Sequence, residues 1–384
     1  MKTLFIPGFL TSLLLTAHVT MAQTPTFHGR LQVDIGGSTS DTGIADPMAG
    51  IGLRRLRLTA KGKMSDRLSY KLSVDFGKKK LSIKDAYVDL RLCKRARLRA
   101  GNFKEPYRWD VLNSSNRILL PGRPEMTGAF GKVRNAGLMA YGKLTDMVGY
   151  QVGVFRNFNA GAHQVLPIDP ATGTGGYFIS TNRLSLVPLR KERQWLMLAG
   201  YFRQQIGQGA GYTVKAGSES MFGPHLVSLK IDTMKNSRWM GGELAASLGP
   251  LYFQSEYILF QGNLNDGSKP QLGGGYVQMA YVLTGEHRAL KSPFSGVKEI
   301  KPAKPWGKDG GWGAWEVVAR YGIGNFNSAG LQGGGLTTLS VGLNWYPYSR
   351  ARVMLNYVRP TIKNSTTLPD GGSHIFQTRL MIFF

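Results

Sequence analysis

Residues 51–63 read IGLRRLRLTAKGK, residues 68–76 read LSYKLSVDF, residues 86–92 read AYVDLRL and residues 96–100 read ARLRA. Taken in steps of two, Leu56, Leu58 and Ala60 fall on one side, opposite Arg55, Arg57, Thr59, Lys61 and Lys63. Leu68, Tyr70, Leu72, Val74 and Phe76 then oppose Ser69, Lys71, Ser73 and Asp75. Ala86, Val88, Leu90 and Leu92 oppose Asp85, Tyr87, Asp89 and Arg91, and Ala96, Leu98 and Ala100 oppose Arg95, Arg97 and Arg99. Side chains alternate across a strand with a period of two, so these are four consecutive strands with separated apolar and polar faces. The polar face is mostly Arg and Lys, relieved by Asp75, Asp85 and Asp89. So concentrated a positive face implies that something anionic visits it.

The 384-residue chain carries 48 Lys+Arg against 23 Asp+Glu, a formal net charge of +25. That balance suits a nucleic-acid binder, a protein on anionic lipid, or a conduit for small anions. The amino terminus narrows the choice. Lys2 is followed by an apolar run from Leu4 to Leu15 and by Thr20-Met21-Ala22, the order of a cleaved secretory signal over residues 1–22. An exported protein does not meet chromosomal nucleic acid, so no nucleic-acid partner is expected. Past residue 22 no stretch approaches the ~20 apolar residues of a spanning helix. Cys93 is the single cysteine and excludes an intrachain disulfide.

Similar alternation recurs to the end of the chain, giving about seventeen candidate strands over residues 23–384. A bacterial barrel takes an even number. Gly249-Pro250 is the suspected bend at which one strand reads as two. Tight connections alternate with long ones, among them 157–176, 205–223 and 285–311, as in an outer-membrane barrel. Without a spanning helix, a closed sheet is the remaining structure that satisfies its backbone in lipid. The fold class expected is therefore all-β, a transmembrane antiparallel barrel. Phe76, Phe103, Trp345, Tyr346, Tyr348, Phe376, Phe383 and Phe384 are the expected interfacial aromatics.

In such a barrel Arg55, Arg57, Lys61, Lys63, Lys71, Arg91, Arg95, Arg97 and Arg99 line the lumen, with the aspartates orienting them. Residues 104–135 lack periodicity and carry Lys104, Arg108, Arg117, Arg123, Lys132 and Arg134 with three prolines, which makes them a candidate constriction. Lys78-Lys79-Lys80 suits either a funnel at the mouth or the phosphates of lipopolysaccharide. A general diffusion pore with a basic wall, or a structural or adhesive barrel, are the competing readings. His28, His163, His225, His287 and His374 are scattered, and no nucleophile motif is present, so no enzyme, cofactor or metal site is expected.

Several segments resemble the outer-membrane phosphate- and polyphosphate-selective porins. They are Gly52 to Leu58, Lys84 to Val88, Gly101 to Tyr107, Leu283 to Glu286, Gly313 to Glu316 with Arg320-Tyr321, and Gly342 to Tyr346. The resemblance implies a sixteen-stranded homotrimer in the bacterial outer membrane, its third long loop folded into the lumen. It also implies an arginine ladder for inorganic phosphate, polyphosphate or other small anions, set in outer-membrane lipid and lipopolysaccharide. The family's paired arginines match Arg54 and Arg55, and its strand aspartate matches Asp85. Strict alternation turns Arg54 toward lipid, so a bulge, or a position beyond the hydrocarbon band, is required. Arg108 stands where the family usually has glycine.

Overall fold

The computed structural model describes residues 24–78, 80–131, 134–156, 177–207, 212–231 and 234–384, with only the backbone of Lys78 and Lys80. The expected signal segment, the side chains of Lys78 to Lys80, and Lys132 lie outside this description. In chain order the strands are β1 (Thr26–Ser40), β2 (Met48–Lys63), β3 (Leu68–Lys78), β4 (Lys80–Cys93), β5 (Ala96–Lys104), β6 (Arg134–Lys143), β7 (Val148–Arg156), β8 (Phe178–Arg190) and β9 (Gln194–Ile206). They continue as β10 (Tyr212–Gly217), β11 (His225–Ile231), β12 (Met234–Leu248), β13 (Leu251–Leu264), β14 (Gln271–Val282), β15 (Leu290–Ser292) and β16 (Gly296–Val297). The last are β17 (Ala314–Ser328), β18 (Leu331–Tyr348), β19 (Ala351–Lys363) and β20 (Gly371–Phe383). Two one-turn helices, α1 (Trp109–Leu112) and α2 (Glu125–Gly128), sit in the β5–β6 connection.

Sixteen of these strands form a closed antiparallel barrel, with β1 pairing to β20 from Arg30↔Phe383 to Ser40↔Ser373. β10–β11 and β15–β16 are separate hairpins. Outward positions such as Leu56, Leu58, Leu72, Leu90, Leu138, Val154, Leu184 and Leu339 are exposed, giving the wall an apolar exterior. Closure leaves no unpaired edge, the condition for a sheet in hydrocarbon.

Three expectations change. Gly249-Pro250 is a tight turn between two full barrel strands that pair Leu248↔Leu251, not a bend within one. The surplus candidate is instead the alternating run read over residues 226–232, whose described part, 226–231, falls on β11 in a hairpin outside the barrel sheet. A hairpin and a barrel strand alternate alike, so period cannot tell them apart. The segment 283–313 also emerges, by strand parity, at the end where the other connections are tight. Among the expected interfacial aromatics, Phe76, Tyr348, Phe376 and Phe384 are exposed, but Phe103 and Tyr346 are buried.

The lumen is unequally filled. Val214, Ala216, Leu226, Val227, Leu229 and Ile231 of the β10–β11 hairpin pack on Tyr201, Trp239, Ile258, Phe260, Phe326 and Leu336 of the barrel. Each such side chain contributes about 1.5–3 kcal/mol when fully buried. Trp109, Leu119 and Leu120 of the β5–β6 loop, with Leu290 and Val297 from the 283–313 segment, fill a second apolar cluster against Trp195 and Tyr252. The inward side chains of β2 and β3 carry no such packing, and Arg55, Arg57 and Lys71 stay only partly buried.

Candidate functional site

The first five strands position the basic residues. The β1–β2 register runs Gln32↔Arg55 and then Val33↔Leu53, so Arg54 is the extra residue of a β-bulge. A bulge puts two residues opposite one, which resets the alternation. Leu53 and Leu56 are exposed outside, while Arg54 and Arg55 between them are both partly buried. Of the two expectations for Arg54, a bulge or a position beyond the hydrocarbon band, the chain contains the bulge.

Down β2 from Arg55 to Lys63 the rise is about 26 Å at ~3.3 Å per residue. Arg55 Nη1 donates to Gln32 Oε1 at 2.6 Å, a neutral partner. Arg57 forks onto Asp75 Oδ2 at 2.6 and 3.0 Å. Lys71 and Arg134 share Asp85, at 2.6 and 2.8 Å. Arg99 bonds Asp89 Oδ2 at 2.6 and 2.8 Å, and Arg97 reaches Asp89 Oδ1 at 3.3 Å. Arg30 donates to the hydroxyls of Ser114 and Ser115. The side chains of Arg54, Lys61, Lys63 and Arg91 have no hydrogen bond or ion pair among the described residues. Arg95 lies in the β4–β5 turn and donates to the Leu144 carbonyl, so it is a turn residue, not a strand one.

The β5–β6 loop enters the barrel, as its proline-stiffened sequence suggested. Its basic residues mostly hold the loop together. Lys104 Nζ donates to the carbonyls of Val111, Leu112 and Asn113 at 2.5, 3.2 and 3.0 Å. Arg123 pairs with Asp110 at 2.6 Å, and Arg117 Nε bonds Glu299 at 2.7 Å. Burial pushes the Glu299 carboxyl up, but Arg117 more than offsets this and holds it below the ordinary value. Arg108 has φ 64, a backbone that disfavours side chains and explains the family's glycine. Its buried guanidinium donates to the carbonyls of Thr127 and Gly131.

Alternation alone did not single out the arginines that grip this loop from the opposite wall. Arg320 donates to the Gly122 carbonyl at 3.1 Å, Arg379 to Pro121 at 2.7 Å, and Arg352 to Ile118 and Leu119 at 2.6 and 3.0 Å. Carboxylates compensate their charge: Arg320–Glu219 at 2.9 Å, Arg379–Asp34 at 2.6 Å and Arg352–Glu316 at 3.6 Å. Arg183–Glu243, Arg203–Glu105 and Arg288–Glu316 are buried likewise. Breaking such a pair strands a charge in low dielectric. A Cβ on Gly122 would lie 1.6 Å from the Glu219 carbonyl oxygen, so only glycine permits this approach.

Glu125 has no salt-bridge partner among the described residues. Burial pushes its carboxyl up to about 7; Glu219 adds to the rise, while Arg54 and Arg108 oppose it. The Gly217 N–H donates to Glu125 Oε2 at 3.3 Å.

The family model for phosphate-selective porin O and P matches residues 26–384. An uncharacterised protein of Caulobacter vibrioides is 24% identical over 354 residues, covering 89% of this chain and 70% of that one. Porin O of Pseudomonas aeruginosa is 30% identical over 161 residues, 39% of this chain and 35% of porin O. Among solved structures, the anion-selective porin from Comamonas acidovorans superposes with a TM-score of 0.57 at 11% identity, covering 94% of this chain and 99% of that one. OprB of Pseudomonas putida gives a TM-score of 0.59 at 9% identity, covering 94% of each chain. By its barrel and by a match spanning nearly its whole length, the chain belongs to the phosphate-selective porin O and P family of bacterial outer-membrane porins.

Proposed function

We propose that this porin conducts small anions, phosphate and polyphosphate among them, along the inward face of β1–β5. The observation that carries the reading is a difference between two sets of inward cations. On β17, β19 and β20 the guanidiniums gripping the loop are each salt-bridged to a carboxylate, whereas Arg54, Arg55, Lys61, Lys63 and Arg91 have none within salt-bridge distance among the described residues. The uncompensated charge therefore belongs to one face, where it attracts anions and repels cations.

Neighbouring inward positions on a strand lie about 6.6 Å apart, close enough for an anion to be passed between them. Arg57, Lys71, Arg97 and Arg99 take part through Asp75, Asp85 and Asp89, which hold the cations extended and moderate the field. Guanidinium offers forked donors that match phosphate oxygens, and several moderate sites let an anion leave as well as enter. Lys104, Arg117 and Arg123 set the shape of the loop beside this path, and Arg134 joins it through the Asp85 that it shares with Lys71. Assembly as a homotrimer is part of the same proposal.

The test is bilayer recording under a salt gradient, followed by phosphate titration of the chloride current. The reversal potential is expected to follow the anion, and phosphate to depress chloride conductance. A chloride conductance unchanged by phosphate would remove the phosphate site from the proposal.

A further inference from the structure

The segment between β14 and β17 does two things in succession. Its first part enters the lumen through Arg288 and the β15–β16 hairpin. Its second part, residues 301–313, returns across the outer wall. There Trp306 N–H donates to the Pro347 carbonyl at 3.0 Å, Gly313 N–H to the Lys304 carbonyl at 3.0 Å, and Trp345 Nε1–H to the Trp312 carbonyl at 2.8 Å. Ala303 N–H donates to Glu286 Oε1 at 2.9 Å. Those bonds fix an ordered ledge at the turn end of the barrel.

The ledge is aromatic and basic at once. Trp315 and Trp345 are cross-strand partners whose rings stack at 5.7 Å, and Trp306 stands edge-on to Trp345 at 5.5 Å. Trp306 is 48% exposed and Trp312 74%. The indole N–H groups of Trp306, Trp312 and Trp315 have no acceptor among the described residues. Exposed Lys301, Lys304 and Lys308 have no ion-pair partner there either. The nearby acidic groups are Asp309 and Glu286, and Glu286 is occupied by Ala303 and Thr284. By strand parity, Trp315 and Trp345 share the outward face of Val317 and Val341, the face that meets hydrocarbon. Exposed indole is at home where its ring is in an apolar layer and its N–H is wet. Lysines at that level reach phosphates while their stems stay apolar.

We propose that residues 301–313, with Trp315 and Trp345, form a binding site for anionic glycerophospholipid headgroups of the leaflet at the turn end. The indoles take the glycerol and acyl region, and Lys301, Lys304 and Lys308 take the phosphate. The site lies on the outer wall and is independent of the conduction path.

Trp109, Trp195 and Trp239 are buried within the barrel, so fluorescence quenching by brominated acyl chains reports the four ledge tryptophans. The protein is reconstituted in phosphatidylcholine bilayers containing a minor fraction of phosphatidylglycerol, with bromine on one lipid or the other. Brominated phosphatidylglycerol is expected to quench well beyond its mole fraction, and salt to weaken the excess. Lys304→Gln should lower the enrichment on the order of fivefold, and Lys301→Gln/Lys304→Gln/Lys308→Gln should bring it to the mole fraction while phosphatidylcholine quenching persists. Quenching in proportion to mole fraction in the unaltered protein would overturn the proposal. So would an enrichment that survives the triple substitution, or tryptophans that neither lipid quenches, the result if another copy of the chain covers the ledge.

Discussion

Arg55 and Asp75 provide a test in which two substitutions on one wall must act in opposite directions. Arg55 contacts only the neutral Gln32, so Arg55→Ala subtracts a full positive charge from the proposed path. Asp75 is bound by Arg57 at 2.6 Å, so Asp75→Asn releases a charge that was compensated. At about 4 Å a unit charge acts on a monovalent anion with ~1 kcal/mol in water and ~4 kcal/mol at an effective dielectric of 20. Even the lower figure alters local anion occupancy on the order of fivefold. Reversal potentials in a potassium chloride gradient read the anion-to-cation permeability ratio directly. Arg55→Ala should lower that ratio about fivefold, and Asp75→Asn should raise it. Shifts of the same sign, or no shift in either variant with the barrel intact, would refute the assignment of this face as the path.

Glu125, whose carboxyl is pushed up to about 7, should make conductance depend on pH. As pH falls from 8 to 6 its charge beside Arg54 is lost, so anion conductance should rise, and Glu125→Gln should hold it at the high value throughout. Because the folded value lies above the ordinary carboxylate one, the stability tied to this proton is full at acid pH. It is lost as pH rises toward and through 7, and thermal melts of Glu125→Gln should lack that slope. Glu316→Ala strands Arg288 and Arg352 and should cost about 3–5 kcal/mol, seen as a lower temperature for loss of the compact barrel's electrophoretic mobility. Arg108→Gly should be more stable than Arg108→Ala by about 1 kcal/mol in denaturant melts, since both lose the guanidinium and only glycine relaxes at φ 64.

The barrel was legible because period two survives in nearly every strand, from Leu56 in β2 to Ile382 in β20. What alternation does not encode is which sheet a strand joins. Leu226, Leu229 and Ile231 follow the same rule as a barrel strand, yet pack inside the lumen. Aromatic type alone was a poor guide to the lipid interface: by parity Phe103 falls with Arg97 and Arg99, and Tyr346 on the side away from Trp345, and both are buried, Tyr346 with its hydroxyl on Glu316. The bulge at Arg54 was foreseeable only as a failure of parity against a family pattern. Arg30, Gln32 and Asp34 already lay on one face of the first strand. Arg320, Arg352 and Arg379 were indistinguishable from path residues, because their distinction is the loop carbonyls and the carboxylates that meet them in space.

The uneven filling of the lumen separates two kinds of evolutionary freedom. Substitutions among the residues packed beneath β9–β19 are judged by whether the protein still assembles. On the proposed path, inward positions of five adjacent strands at the other side answer chiefly to the solutes outside the cell. A lineage entering a new habitat can therefore retune its nutrient uptake through a handful of replacements, leaving the architecture that survives export and insertion untouched.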